Sequence, residues 1–496
     1  MNVLCKIIFV RVVSLLFIVT IVFLLTGCAA VGPNYAMPET TVSATWHTRL
    51  KGGLTEEEMN PQTLATWWTT FDDSELSSLI HRAVAKNLDL KKAQAKVCEA
   101  RARRGIATAN MFPTLNFSGS DTWSRSKKDT VPGETSQLYS TNFNELYSTS
   151  FDSGWEIDIF GGIRRSIEAS EADLQASQEN LHDVLVSLLG EVALNYIEVC
   201  TFQARLATVN ENIDAQNETY QLTLWRYQAG LSDELAVQQA RYNFESTCSQ
   251  IPALHTGLEE AMNRIAVLLG EQPGKVHEEL EKSEPIPVPS LKTAVGVPAE
   301  TIRRRPDVRR AERELAAQTA RVGVATADLY PKFTLNGSIG VEALSFDKLT
   351  GNLSSSNSWA LSGGPRISWA IFDAGAIRQN IKVQSALQEQ ALIQYESAIL
   401  CALEDVENAL TSYADEQSRM DNLREATQAA KTAVELAQNK YQAGLADFSN
   451  VLDAQRSLLS FQDQMTQSNG TVTSNLIRLY KALGGGWTSM AADENK

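Results

Sequence analysis

Cysteines are the side chains best suited to chemistry in this 496-residue chain, and their spacing argues against most of that chemistry. Besides Cys5 and Cys28 there are four: Cys98, Cys200, Cys248 and Cys401. An even count in an oxidising compartment invites disulfides. Cys200, however, lies 30 residues before Gly230 and Cys248 lies 18 after it. If Gly230 is the tip of a helical hairpin, the two are offset by about 18 Å along it, beyond bridging distance. Free, buried thiols are expected instead. Five histidines are scattered, no Cys-x-x-Cys occurs and eight methionines show no clustering, so no metal site is expected. Neither a nucleophile–base pair nor a phosphate-binding loop is present, so no catalytic residue, cofactor or enzyme activity is expected.

Cys28 differs because of what precedes it. Lys6 and Arg11 lead into an apolar run from Val12 to Leu25, ending in Leu25-Thr26-Gly27-Cys28. A positive start, a short apolar stretch and small residues at the end describe a secretory signal over 1–27. The alternative is an uncleaved membrane anchor over Ile7–Leu25. Leu-Thr-Gly-Cys resembles the bacterial lipobox, which implies cleavage before Cys28 and a covalent lipid on its thiol. Ala29, in place of an aspartate, fits sorting to the outer membrane. No later segment reaches 18 consecutive apolar residues, so no further transmembrane helix is expected.

The chain is 43% apolar, enough for a sizeable core, and carries a formal charge of −15. Loss of 1–27 removes two bases and no acid, leaving −17. Such acidity argues against nucleic acid as a partner and suits a water-filled path that favours cations.

The elements that would position any site come in two copies. RYQAGLSDELAVQQAR at 226–241 is echoed by KYQAGLADFSNVLDAQR at 440–456. Gly230 and Gly444 each follow a helical run, where a glycine turns left-handed at no Cβ cost. Asp233 and Asp447 lie just beyond, placed to cap the next helix. Both copies therefore read as tips of long helical hairpins. Upstream, a short helix at 74–86 breaks at Asn87 and a longer one continues to Met111, after an aromatic clasp of Trp67, Trp68 and Phe71. The counterpart is 299–304, broken at Arg305-Pro306, then running to Leu329. Before the clasp, 28–66 reads as an irregular arm with Pro38 and Pro61 as breakers.

Phe112-Pro113 and Tyr330-Pro331 open paired strands, 114–123 with 147–159 and 332–341 with 359–371. In 147–159, Tyr147, Phe151, Trp155 and Ile157 alternate with Ser148, Asp152, Glu156 and Asp158, a period of two with aromatics near the ends. Four strands cannot close a barrel, and lipid does not tolerate an open edge, so the strands must be pooled between copies. Eight would fill their own interior; twelve would leave an aqueous lumen, which inward Asp152, Glu156 and Asp158 require. The polar loops 124–146 and 342–357 would face outward. Helices over about 164–229 and 376–443, each about 100 Å long, carry apolar residues at 3–4 spacing as coiled coils do. They return as 235–269 and 448–483. The repeats thus span 67–270 and 299–487, joined by 271–298, whose glutamates read as a solvated face and whose prolines favour an extended spacer; 488–496 is a tail.

In this order the motifs resemble TolC-like outer-membrane efflux lipoproteins. Besides the lipobox, they are Val31-Gly32-Pro33-Asn34-Tyr35, Trp67-Trp68, Trp155-Glu156-Ile157-Asp158-Ile159-Phe160-Gly161, the two Tyr-Gln-Ala-Gly-Leu tips and Leu483-Gly484-Gly485-Gly486-Trp487. The resemblance implies a helical fold joined to a membrane β-barrel: a homotrimer with a 12-stranded barrel and a periplasmic helical tunnel. Such a protein is a passive exit duct that docks onto a periplasmic adaptor and an inner-membrane pump of the resistance–nodulation–division type. It also implies aperture gating by Tyr441, Asn450 and Asp453, although Asn450 and Ala446 stand where known members have an acid and a base. Gly230, Leu231, Gly444 and Leu445 become candidate adaptor contacts. The first copy has Ala236 and Gln239 at the matching positions, which assigns gating chiefly to the second tip. The rival expectation is a lipid-anchored coiled-coil stalk, with metal-ion export as a further alternative.

Overall fold

The computed structural model describes residues 30–39, 42, 43, 45–48, 50, 53–55, 57, 60–127, 141–282, 284–288, 293–296, 298–344 and 359–487. The leader, Cys28, Pro289, the centres of both strand loops and the tail 488–496 lie outside the described residues. In order the elements are β1 (Leu54–Thr55), α1 (Pro61–Ala65), α2 (Ser74–Lys86), α3 (Leu88–Ala109), β2 (Thr114–Lys127), β3 (Thr141–Ile157), α4 (Gly162–Gln228), α5 (Glu234–Cys248), α6 (Gln250–Leu268), α7 (His277–Leu280), β4 (Thr293–Ala294), α8 (Pro298–Arg304), α9 (Pro306–Ala327), β5 (Lys332–Ala343), β6 (Trp359–Ser368), α10 (Ala376–Gln442) and α11 (Phe448–Ala482). They fall into two compact units, one drawn from Met1–Met37, Cys98–Gln175 and Arg313–Ile393, the other from Pro38–Val97, Ala176–Glu312 and Gln394–Lys496.

The first unit holds the long strands in one antiparallel sheet of order β2-β3-β5-β6, so the two repeats join side by side through β3 and β5. The register sorts the faces. Phe117, Phe151, Ile339 and Leu361 lie in one row across the sheet, and Asn116, Asp152, Ser338 and Ser362 lie in the next row on the opposite face. One face is therefore apolar and the other hydroxyl-rich, as period-two alternation requires. The strands end at Ile157 and Ser368. Asp158 is consequently not a strand residue facing a lumen. Its carboxylate accepts from the backbone N–H groups of Ile163 and Arg164 at the start of α4, because four unpaired N–H groups there attract an anion. Trp155 and Trp369 do the same job in the two repeats, donating from Nε1 to the Met111 and Leu329 carbonyls at 2.9 and 3.0 Å.

The segment from Val31 to Tyr35 is bound within this unit. Val31 N donates to Phe160 O, and the Arg165 guanidinium donates to Val31 O, Gly32 O and Asn34 Oδ1. Gly32, at φ +91°, runs directly against the backbone of Gly323. Tyr35 packs on Ala172, Ala316 and Ala317.

In the second unit the arm is not wholly irregular. Leu54–Thr55 pairs in parallel with Thr293–Ala294, and Pro61 opens α1 rather than breaking it, since a first helical turn needs no N–H. Trp67, Trp68 and Phe71 are buried in a 3-10 turn. Trp67 stacks on Tyr480 at 5.5 Å, and Gly485 and Gly486 lie so close to Leu64, Trp67 and Leu189 that a Cβ would collide. Asp73 caps α2 through Leu76 N at 2.8 Å. The linker glutamates are not simply solvated: Glu271 and Glu279 pair with Arg82 at 3.2 and 2.6 Å. The first return helix is broken into α5 and α6 at Ser249, because Pro252 has no N–H for the Cys248 carbonyl. Cys200 is a buried free thiol, Cys248 is half-buried, and Cys98 and Cys401 are free but exposed, against the expectation of burial. Their helices turn those positions outward.

Candidate functional site at the helical tips

Each tip is built by a helix end that must reverse direction. At the first, Gly230 adopts φ +71° while its N–H reaches Tyr227 O and Leu231 N reaches Arg226 O at 2.8 Å. At the second, Gly444 has φ +70°, with bonds from Gly444 N to Tyr441 O and Leu445 N to Lys440 O. These paired bonds occupy carbonyls that the helix end leaves free, and they need a residue without a Cβ at the left-handed position. Nothing lies within 4 Å of where a Cβ would stand on either glycine. The leucines that follow project outward, Leu231 69% and Leu445 78% exposed.

The caps differ. Asp233 accepts from Ala236 N at 2.9 Å and opens α5. Asp447 sits at the equivalent position, but its side chain makes no capping bond; its carbonyl takes Asn450 N at 3.1 Å instead. Beneath the turns the hairpins share one apolar cluster, Ala236 and Ala240 against Phe448, Val451 and Leu452, with Tyr220 and Tyr441 packed on it.

Tyr441 is half-buried there, its ring 5.2 Å from that of Phe448. The Arg226 guanidinium of the first tip stands over the Tyr441 ring at 4.7 Å, a cation–π contact between hairpins. Asn450 and Asp453 are exposed on α11. The Asp453 carboxylate lies 3.7 Å from Arg456 Nη1, and Arg456 in turn donates to Asn243 Oδ1 at 2.9 Å and covers the Tyr242 ring at 5.0 Å. Tyr441 is thus brought into a contact between tips, Asp453 into a loose ion pair, and Asn450 into neither. Arg226, Asn243 and Arg456 are the partners that residue-by-residue reading missed. A signal was present: Arg226 and Lys440 are the matching bases of the repeated phrase, and Arg456 matches Tyr242, the ring it covers.

On the sheet, the polar face converges on Asp152. Its carboxylate accepts from Ser118 and Ser338 hydroxyls at 2.6 Å and from Ser150 at 2.9 Å, drawing on β2, β3 and β5. A carboxylate so held is fixed on a polar surface, which requires water opposite it.

Residues 79–271 and 297–485, one stretch in each repeat, match the outer membrane efflux protein family. Nodulation protein T of Rhizobium leguminosarum bv. trifolii is 32% identical over 470 residues, 94% of this chain and 96% of that protein. The toluene efflux pump outer membrane protein TtgI of Pseudomonas putida is 30% identical over 94% of this chain and 97% of its own length. Among solved structures, the outer-membrane channel OprN is 34% identical and superposes with a TM-score of 0.85 over 92% of this chain and 100% of that one. The sheet, the hairpins and the belt of short elements in the second unit (β1, α1, α2, α7, β4 and α8) are those of a TolC-like outer-membrane channel. The chain belongs to the outer membrane efflux protein family, as an outer-membrane component of efflux.

Proposed function

We propose that three copies of this chain form the passive exit duct of a tripartite efflux system, anchored by a lipid on Cys28. The observation that carries this reading is the sheet. Among the described residues β2 and β6 each have a neighbour on one side only, and one face is apolar while the other gathers hydroxyls around Asp152. Open edges are untenable in lipid, so the edges of one copy pair with the next. Twelve strands leave a lumen wide enough for water, and Asp152 faces it. The tips at Gly230-Leu231 and Gly444-Leu445 dock onto a periplasmic adaptor, which joins an inner-membrane pump. Tyr441, Asn450 and Asp453 line the aperture between tips, with Asp453 supplying an anionic ring that draws cations to it. Relatives named for nodulation and for toluene efflux are similar to this chain over 94% of its length, which supports a duct whose cargo is set by the pump.

Planar-bilayer recording of the purified trimer tests the reading. The duct gives small currents when closed, and these rise when Asp453 is replaced by Ala. A lipid-anchored stalk, the rival, gives none in either form.

A further inference from the structure

The hairpins change what they bury on the way from belt to tip. Val209, Leu254 and Leu459 form one apolar cluster, and the tip cluster of Ala236, Ala240, Phe448, Val451 and Leu452 forms the other. Between them the buried positions are mostly polar: Gln216, Asn243 and Thr247 are each 3% exposed and Gln455 is 5% exposed. Three bonds tie this stretch together across α4, α5 and α11 through Gln455, Asn243 and the neighbouring Asn212, and Gln216 lies on α4 between Asn212 and Thr219. Gln455 Nε2 donates to Thr219 Oγ1 at 2.9 Å, Arg456 Nε to Asn243 Oδ1 at 2.9 Å, and Asn212 Nδ2 to Gln462 Oε1 at 2.8 Å.

This layer is only partly satisfied by protein. Both amide atoms of Gln216, Nδ2 of Asn243 and Oε1 of Gln455 are buried without a protein partner among the described residues. Buried amides are almost always hydrogen-bonded, and where protein groups do not reach them ordered water does. A layer bonded through water exchanges partners at little cost, whereas the close-packed clusters above and below have one arrangement. The backbone is interrupted close by. The first return helix is interrupted between α5 and α6 at Ser249, six residues past Asn243, while α11 runs unbroken. Kinks need such a cause, and the proline supplies it.

We propose that Gln216, Asn243 and Gln455 form a water-holding joint on which the tip moves relative to the shaft, hinged at the Ser249 break of the first hairpin. The joint rests on the duct reading in one respect, that movement of the tip opens the aperture. Its consequence is that the first hairpin carries the moving backbone, although the gating side chains lie on the second.

Hydrogen–deuterium exchange on the full-length trimer in nanodiscs reads the joint without any variant. Amides of 214–219 and 243–252 should exchange at least about tenfold faster than those of 204–211. Equal protection of the three segments overturns the proposal. Replacing Gln216 and Gln455 together by methionine keeps side-chain length and removes the amide atoms. In the assembled variant exchange of the joint should slow to that of 204–211, and openings in planar bilayers should become at least about fivefold rarer at unchanged single-channel conductance. Openings as frequent as before, or more frequent, overturn it. A wild-type trimer that passes no current sinks the duct reading, and the exchange contrast then still decides for or against the joint.

Discussion

Asn87 and Arg305 perform one task in the two repeats: each donates to the carbonyl of the last helical residue of its own returning hairpin. Asn87 Nδ2 reaches Leu268 O at 2.8 Å, and Arg305 Nη1 reaches Ala482 O at 3.0 Å. Each also stands at the break between a short helix and a longer one, where Asn87 Oδ1 further takes Leu90 N. Arg305 does more. Its guanidinium, buried with 9% of the side chain exposed, also pairs with Asp307 at 2.7 Å and Asp405 at 2.8 Å.

Removing either residue should loosen the belt, but unequally. Asn87→Ala orphans one buried carbonyl and the first turn of α3, a cost of about 1–3 kcal/mol. Arg305→Ala also takes the guanidinium away from Asp307 and Asp405, and because both carboxylates keep some contact with water this adds to the lost carbonyl bond without reaching the cost of breaking a fully buried pair. Denaturant unfolding of the two variants should rank Arg305→Ala below Asn87→Ala. The reverse order would show that the ion pairs contribute little.

Stability of the belt should fall as pH rises from about 4.5 to about 7. Burial, then a hydrogen bond and the charge of Glu279, raise the Glu75 carboxyl from 4.5 to about 7, while Arg82 pulls the other way. The folded state therefore holds this proton more tightly than the unfolded chain does. Its contribution is fully present below pH 4.5 and is lost as pH rises through about 7. Asp307 has the opposite sign: burial pushes it up, but the Arg305 hydrogen bond and charge outweigh that and hold it below 3.8, so its contribution is lost only in stronger acid. Glu75→Gln should flatten the decline between pH 4.5 and 7; an undiminished decline in that variant assigns it to another group.

The turn glycines and the leucines beside them should separate stability from docking. Gly444→Ala meets open space, so its cost is that of a left-handed backbone alone, about 1–2 kcal/mol. Leu231→Ser and Leu445→Ser alter exposed side chains and should leave the unfolding midpoint within about 0.5 kcal/mol of wild type. Adaptor co-purification should nonetheless drop in both serine variants. Undiminished co-purification would place docking elsewhere on the hairpins.

Arg226 over Tyr441 should restrain the closed tip. A cation–π contact of this kind is worth about 0.5–2 kcal/mol. Arg226→Ala should raise closed-state conductance, and Tyr441→Phe, which keeps the ring, should not. Equal effects of the two would point to the Tyr441 hydroxyl as the restraining group.

Gly32 should be intolerant of any side chain. Its left-handed backbone and the Gly323 backbone against it leave no room for a Cβ. Gly32→Ala should release the segment bonded to Arg165 and Phe160, seen as faster proteolysis ahead of Tyr35. Protection equal to wild type would mean the segment is held from Tyr35 alone.

Much of this was legible in residue order because it depends on neighbours in the chain. The 3–4 spacing of α4 and α10, the alternation of β3, and glycine at 230 and 444 each set local conformation through periodicity or a missing Cβ. Tertiary structure alone decided who pairs with whom. The sequence required four strands but not that β3 would lie against β5 across nearly 190 positions. It placed Asp158 in an alternating run, yet the unpaired N–H groups of α4 claimed it. It offered Asn87 and Arg305 as unrelated residues, and only the folded belt set each against the matching helix end of its own repeat. Such pairings link positions far apart in the chain, so they form only where packing holds both partners in place, and no spacing rule within one element encodes them.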